Sequence, residues 1–373
     1  KMVFTIERLT ERTWKVVEND KFGQYPFLYV ILGVDKCILI DTGCGTADYR
    51  AFVTSNINKN NLPYLVVCTH VHFDHIGGNH LFCNKCLGIC MGSNNQAFTN
   101  NYEIHSLALA HHGATVGKFD VSNWLKEGDL IYLDDNNKVK EQSLEVIYTP
   151  GHTPDSISLY AHFEKRLFVG DSIYPYTAIH LDSLGSNVTD YIASLKKLVS
   201  FIADHKNVQL PATASTPTKE TTPQPSEAPV DPHKDMVAQF CDMLGLDAKK
   251  PGFNVEGLLQ ICDWSLENAM NFYLSSPSDV QSMCPPIAAE VTAPQPSQTP
   301  PSFTQKSDEI VLSCGHVEAN FPSSSLEQML NLLTFIGMGA VTPAFTEGEY
   351  AEYSNDNLTV ILSKKDVAKL KDS

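Results

Sequence analysis

The stretch Thr69-His70-Val71-His72-Phe73-Asp74-His75-Ile76-Gly77-Gly78 directly follows the run Tyr64-Leu65-Val66-Val67-Cys68. That run is apolar and β-branched, the pattern of a buried strand. Where it stops, three imidazoles and a carboxylate leave the chain within six residues. A strand end holds the backbone firmly, while the loop beyond it can aim several side chains at one point. Imidazole suits zinc, whose tetrahedral sites take ligands at about 2.0–2.2 Å. His70 and His72 alternate, so both can address one ion. Asp74 and His75 come as the loop turns into a helix and can reach a second ion, and Gly77 and Gly78 let the backbone bend beneath the cluster. A two-ion site needs further ligands, and these are expected downstream, again at strand ends.

Three more segments have that form. Leu144-Glu145-Val146-Ile147-Tyr148 runs into Thr149-Pro150-Gly151-His152-Thr153. Lys165-Arg166-Leu167-Phe168-Val169 runs into Gly170-Asp171-Ser172, and Ile310-Val311-Leu312-Ser313 runs into Cys314-Gly315-His316. Each ends in a glycine beside a potential ligand. With these residues in view the chain closely resembles the metallo-β-lactamase superfamily. The resemblance implies a four-layer αββα fold of the α/β class and a centre of two zinc ions. It places His70, His72 and His152 on the first ion, Asp74, His75 and His316 on the second, and Asp171 between them. It also implies that Asp41, at the end of Lys36 to Ile40, lies beneath the metals, where a carboxylate would orient a ligating imidazole through its other N–H. The competing reading of Asp41 is a cap for the helix that follows.

The chain has 373 residues, enough for a full core and for more than one domain. Its formal charge of −16 excludes a general attraction to nucleic acid phosphates. No apolar run reaches the roughly 18 residues of a membrane span. No leader-like pattern follows Lys1. Ten cysteines without framework spacing read as reduced thiols, so a cytoplasmic location is expected. Cys83, Cys86 and Cys90 lack a fourth partner nearby and read as small hydrophobes rather than as a further zinc site.

In chain order, strands are expected at Met2 to Ile6, Thr13 to Val17, Phe27 to Leu32 and Lys36 to Ile40, then a helix at Asp48 to Ile57. This strand–helix–strand alternation argues for layered α/β architecture. Cys86 to Met91 reads as a strand, His105 to His111 as helical, and Asn123 to Asp129 as a polar turn into the strand Leu130 to Leu133. His105, His111 and His112 are read as helical histidines on a half-buried face rather than as a substrate entrance. The loop from Ser172 to Asp190 leaves directly from Asp171, so Tyr174 and His180 are candidate substrate contacts. Asp190 to Ala203 is an amphipathic helix, with Tyr191, Leu195, Leu198 and Ile202 on one face. Ser324 to Ile336 is another helix, and Leu358 to Leu362 a closing strand.

Between the helix at 190–203 and the strand at 310 the composition changes. Fourteen of the 21 prolines fall between residues 206 and 305. Segments 206–231 and 277–307 therefore read as disordered linkers. Between them, 232–276 carries three short helical periodicities and resembles a ubiquitin-associated-like domain in Gln239-Phe240-Cys241-Asp242-Met243-Leu244-Gly245 and Asp263-Trp264-Ser265-Leu266-Glu267-Asn268-Ala269-Met270. That implies ubiquitin as a partner. The expected organisation is a hydrolase domain of residues 1–205 and 308–373, interrupted by a small three-helix bundle. Loop-closure entropy grows slowly with length, so such an insertion is tolerated.

The chemistry follows from the ions. Zinc lowers the pKa of bound water from about 15.7 to about 7, and two zincs about 3.5–4 Å apart can share a bridging hydroxide. That nucleophile can attack a thioester, ester, amide or lactone carbonyl, with Asp74 as both ligand and proton carrier. The motifs Thr69 to His75, Gly170-Asp171-Ser172-Ile173-Tyr174 and Cys314-Gly315-His316 most resemble the acyl-coenzyme A hydrolase type of the superfamily, although Cys314 stands where that family usually has proline. The resemblance implies acyl-coenzyme A as substrate. Lactonase and glyoxalase II-like readings stay open. So does an adaptor that binds ubiquitin on a metal-stabilised scaffold.

Overall fold

Alternation along the strands decides the layering. In β3 (Phe27–Leu32), Tyr29 and Ile31 point one way and Leu28 and Val30 the other. The first pair joins a core with Ile38, Ile40, Leu144, Val146, Ile157, Leu159 and Phe168. The second pair joins another core with Leu39, Val66, Ile89, Tyr49 and Val53. A strand buried on both faces needs a sheet on one side and helices on the other, which is what the two cores supply.

The computed structural model describes residues 3–110, 113–205, 309–347, 349–355 and 358–371, all within one compact unit. The first sheet has seven strands in chain order: β1 (Phe4–Arg8), β2 (Thr13–Glu18), β3, β4 (Cys37–Ile40), β5 (Tyr64–Val67), β6 (Gly88–Gly92) and β7 (Asn123–Leu125). It is antiparallel up to β4 and parallel from β4 to β7. Helix α1 (Tyr49–Asn56) connects β4 to β5. It is capped by Asp48, whose Oδ1 accepts from the Ala51 N–H at 2.8 Å. Asp41 therefore does not cap this helix.

After the short helices α2 (Phe73–Ile76), α3 (Gln96–Asn100) and α4 (Tyr102–His105), the second sheet is built from β8 (Leu130–Tyr132), β9 (Ser143–Tyr148), β10 (Ile157–Ala161) and β11 (Arg166–Gly170). It continues, beyond a short β12 (Ala178–His180) and helix α5 (Val188–His205), with β13 (Val311–Cys314) and β14 (Phe321–Pro322). The order is β14-β13-β11-β10-β9-β8. The outer face of this sheet carries Ile147, Tyr160, Leu167 and Leu312. They pack under Leu195, Leu198 and Ile202 of α5 and under Leu326, Met329 and Leu333 of α6 (Ser325–Gly337). Helix, sheet, sheet and helix layers follow one another, giving the αββα fold. Each large apolar side chain so covered contributes about 1.5–3 kcal/mol.

Several elements depart from the sequence reading. A third sheet, β12-β17-β16-β15, was not expected. It joins β15 (Phe345–Glu347), β16 (Tyr350–Asn355) and β17 (Leu358–Ser363), with α7 (Lys364–Lys371) behind it. The expected helix over 105–111 is instead the end of α4, then a break at Leu107, whose φ is +60°, then a single 3-10 turn at Ala108–Ala110. A left-handed residue cannot continue a right-handed helix. Asn123 to Leu125 is a strand rather than a turn, because it completes the parallel edge beside β6. The segments 206–231, 232–276 and 277–307, including the ubiquitin-associated-like motif, lie outside the described residues. Among the described residues no helix is long and apolar enough to cross a membrane.

Candidate metal centre

The strands β4, β5, β11 and β13 all present their C-terminal ends to one edge of the two-sheet sandwich, since β4 runs parallel to β5 and β11 parallel to β13. From β5 come His70, His72, Asp74 and His75, from β4 Asp41, from β11 Asp171 and from β13 His316. The β9–β10 turn adds His152, and its loop is tied to the motif by the Ile157 N–H, which donates to Thr69 O at 2.9 Å. An extra residue on β11, between Phe168 and Gly170 in the pairing with β13, re-aims the chain just before Asp171. The β13 end is fixed by buried Arg166, which donates to Ser313 Oγ at 2.6 Å and to Ala319 O and Asn320 Oδ1 at 2.9 Å. The Tyr29 hydroxyl donates to Cys314 O at 2.6 Å, and the Phe27 N–H to Gly315 O at 2.6 Å.

All seven residues singled out as ligands meet at this edge. His70 Nε2 lies 3.0 Å and His152 Nε2 3.1 Å from His72 Nδ1. Nitrogens held tetrahedrally by one ion at about 2.0–2.1 Å would stand roughly 3.3–3.4 Å apart. On the other side, His316 Nε2 is 3.2 Å from Asp74 Oδ2 and 3.5 Å from Asp171 Oδ2. His75 Nε2 is 3.3 Å from Asp171 Oδ1 and 3.7 Å from Asp74 Oδ2. Asp171 thus faces both groups, with His152 Nε2 3.8 Å from its Oδ2.

The tautomers indicate what these atoms await. His75 Nδ1–H donates to Asp41 Oδ2 at 2.8 Å, His152 Nδ1–H to His180 O at 2.9 Å, and His316 Nδ1–H to Gln24 O at 2.9 Å. Each ring therefore turns its Nε2 toward carboxylates or toward other imidazole nitrogens. Ligand nitrogens and ionised carboxylates crowded into a buried space call for positive charge, carried by protons or by metal ions, and an outer Nδ1–H bond is the usual support of a metal-binding histidine. The donor set and its geometry fit divalent metal ions.

The electrostatics agree. Burial alone would lower His75 and His316, yet Asp171 and Asp74 overcome it. His75 is held well above the usual imidazole range, and His316 is pushed up to about 10. Burial would raise Asp74 and Asp171, but the neighbouring His75 and His316 hold both down, Asp74 to about 2. The carboxylates are ionised and their surroundings demand positive charge. On the other side, burial and mutual repulsion lower His70 well below its ordinary range and His72 to about 3, so both rings are neutral, as ligation requires. Burial also lowers His152, against the pull of Asp171.

Asp41 accepts from the Thr69 N–H at 2.7 Å and the Thr69 hydroxyl at 2.9 Å besides His75, so one carboxylate fixes both the start of the motif and one ring. It does so with φ +63°, a conformation aspartate tolerates better than most residues.

The centre opens into a cavity of about 700 Å³. Tyr174 and His180 both line it. The Tyr174 ring sits 5.7 Å from that of His316 and its hydroxyl donates to Ala178 O at 3.2 Å. His180 pairs with Asp182 at 3.1 Å, which raises its pKa. His105 does not reach the cavity wall. It stacks on Phe98 at 3.9 Å and donates to Phe98 O at 2.7 Å. His111 and His112 lie outside the described residues. Sequence reading missed Tyr25, Leu107 and Val317, which also line the cavity with φ of +50°, +60° and +67°. No local pattern announces them.

A family model described as the metallo-beta-lactamase superfamily matches residues 23–203. The acyl-coenzyme A thioesterase MBLAC2 of Gallus gallus is 31% identical over 198 residues, covering 48% of this chain and 69% of that protein. The chain belongs to the metallo-β-lactamase superfamily. Another relative in the comparison, "Putative transcription factor avaE" of Aspergillus versicolor, is 26% identical over 232 residues, covering 55% of this chain and 66% of that protein. The chain thus spans about two thirds of the length of these relatives. Among solved structures, metallo-beta-lactamase IND-7 aligns with a TM-score of 0.43 at 18% identity, over 54% of this chain and 86% of that one.

Proposed function

We propose that this metallo-β-lactamase superfamily chain is a hydrolase with two zinc ions that cleaves thioesters or related carboxyl esters, acyl-coenzyme A being the first class to test. The observation that carries the proposal is the convergence of three Nε2 atoms on two ionised carboxylates, each ring anchored through its Nδ1–H. In this reading His70, His72 and His152 hold one ion, Asp74, His75 and His316 the other, and Asp171 serves both. A bound divalent cation supplies a water acidified to a pKa of about 7 and polarises the carbonyl oxygen. The chain's own residues do the rest. Asp74, kept ionised by His75 and His316, takes the proton of the attacking water and returns it to the departing sulfur or oxygen. Asp41 accepts the His75 Nδ1–H and so leaves Nε2 as the atom that would meet an ion. Tyr174, its hydroxyl tied to Ala178, and His180 form the wall along which the substrate lies. The thioester choice is supported by the likeness to the Gallus gallus relative, an acyl-coenzyme A thioesterase.

A second reading, a lactone or other neutral ester, is favoured by one observation. Among the described residues, none that lines the cavity is lysine or arginine, the side chains that most often grip a phosphate. The deciding experiment measures zinc per chain together with hydrolysis of acyl-coenzyme A and of lactones, for wild type, Asp74→Ala and His152→Ala. Two zincs and thioester turnover that both variants lose is the expected result. Lactone turnover alone selects the second reading. A chain that binds no metal refutes both.

A further inference from the structure

Apart from the centre, on the outer face of the second sheet, a second group of ligand-type side chains converges. Glu145 comes from β9, His162 follows β10, and His205 is the last residue of α5. Their candidate ligand atoms all lie within 4.8 Å of one another. His162 Nε2 is 2.8 Å from Glu145 Oε2. His205 Nδ1–H donates to Phe201 O at 2.7 Å, which leaves Nε2 as the atom that would meet an ion, as in the rings of the main centre. Both rings are held in place: His205 stacks on Phe201 at 4.0 Å, and Tyr160 meets His162 at 4.8 Å and His205 at 5.3 Å. All three residues are partly buried, the side chains of His162 and Glu145 keeping 9% and 17% of their exposure.

We propose that Glu145, His162 and His205 form a separate site for one divalent transition ion, zinc by preference. Two imidazoles and one carboxylate are a donor set that zinc accepts, with a position left open to water. Lys140 competes for it. Its Nζ lies 3.0 Å from Glu145 Oε2 and supplies the positive charge that an ion would bring, but its side chain is 52% exposed and free to swing away. His162 Nε2–H donates to Glu145 at 2.8 Å, a proton that an incoming ion would displace. Occupied, the site staples the end of α5 to the β9–β10 hairpin, at the point where segment 206–308 leaves the described fold. It takes no part in hydrolysis and does not depend on the proposed activity.

The test uses the full chain with zinc alone. Elemental analysis after dialysis against a low-zinc buffer compares wild type with the double variant His162→Gln/His205→Gln. Zinc titration calorimetry compares wild type with Lys140→Met. The double variant is expected to hold one zinc fewer per chain, and Lys140→Met to bind zinc at this site about tenfold more tightly. An unchanged zinc count in a folded double variant overturns the proposal. Where the double variant does not fold, Lys140→Met decides, and an unchanged affinity overturns it.

Discussion

Gly315 separates packing from chemistry in the candidate centre. A Cβ built there would stand 2.8 Å from His75 Cε1 and closer still to Asp171 Oδ1. Its φ is not in the left-handed region, so Gly315→Ala introduces no torsional strain, only a methyl group between two candidate ligands. Neither neighbour can yield easily. His75 is fully buried and bonded to Asp41 at 2.8 Å, and Asp171 faces His75, His152 and His316. The glycine is pinned too: its N–H donates to Gly170 O at 2.8 Å and its carbonyl accepts from the Phe27 N–H at 2.6 Å. Relief requires a shift of roughly 1 Å in one ligand, which is worth about 10²-fold in a catalytic rate. The overpacking itself costs about 1–3 kcal/mol. On the proposed two-ion reading, the expected outcome is a 10–100-fold loss of affinity for the ion assigned to Asp74, His75 and His316, a smaller loss for the ion that Asp171 also serves, and a lowered thermal midpoint. Gly128→Ala is the control, since Gly128 has φ +78° and open space around it. It should cost about 1 kcal/mol of strain and leave metal content alone. If Gly315→Ala binds both ions as tightly as wild type and melts at the same temperature, the close approach described here is wrong.

Other substitutions probe the supports. Asp41→Ala removes the acceptor of His75 Nδ1–H and of Thr69, and should weaken metal binding about 10–100-fold in a metal-competition titration; an unchanged affinity would show that His75 needs no orienting partner. Val317→Gly should raise stability by about 1 kcal/mol in denaturant titrations by releasing a left-handed β-branched residue, and a loss of stability would contradict the strain. Asp155 is buried and its pKa is raised to about 6, chiefly by burial, from an ordinary 3.8. The folded state therefore holds a proton that the unfolded state releases, and stability falls as pH rises from about 4 to about 6, then levels. The fall amounts to about 3 kcal/mol. Asp155→Asn should remove that part of the slope, so parallel pH–stability curves for variant and wild type would refute the assignment.

How much was legible in the sequence follows from what each segment buries. Strands covered on both faces, such as Phe27 to Leu32 and Tyr64 to Val67, advertise themselves as unbroken apolar runs, and the residues that leave their ends come with them. His152, Asp171 and His316 were visible because a glycine marks each exit. The third sheet was not, apart from β17. Its strand Tyr350–Asn355 mixes exposed and buried residues, and β12 is three residues long. Helix α7 is mostly charged and is held by Leu370 and Val367 against a core that exists only in the finished fold. The cavity lining was illegible for a further reason. Gln24 O supports His316 across 292 residues of chain, and no local periodicity encodes such a contact.

Six of the seven residues of the centre precede residue 205, and the seventh follows residue 308. In the completed fold β13 fills the edge of β11. During synthesis that edge is finished at Gly170, but its partner does not exist until Val311 has been made, roughly 7–30 s later at ordinary ribosomal speed. For that interval the nascent sheet carries an unpaired edge, a site for pairing with other chains. It also carries an incomplete cage around Asp74 and His75. On the two-ion reading, loading of the ion assigned to Asp74, His75 and His316 is then a late step of biogenesis, and a polypeptide stalled within 206–308 would display an open strand edge that chaperones can bind.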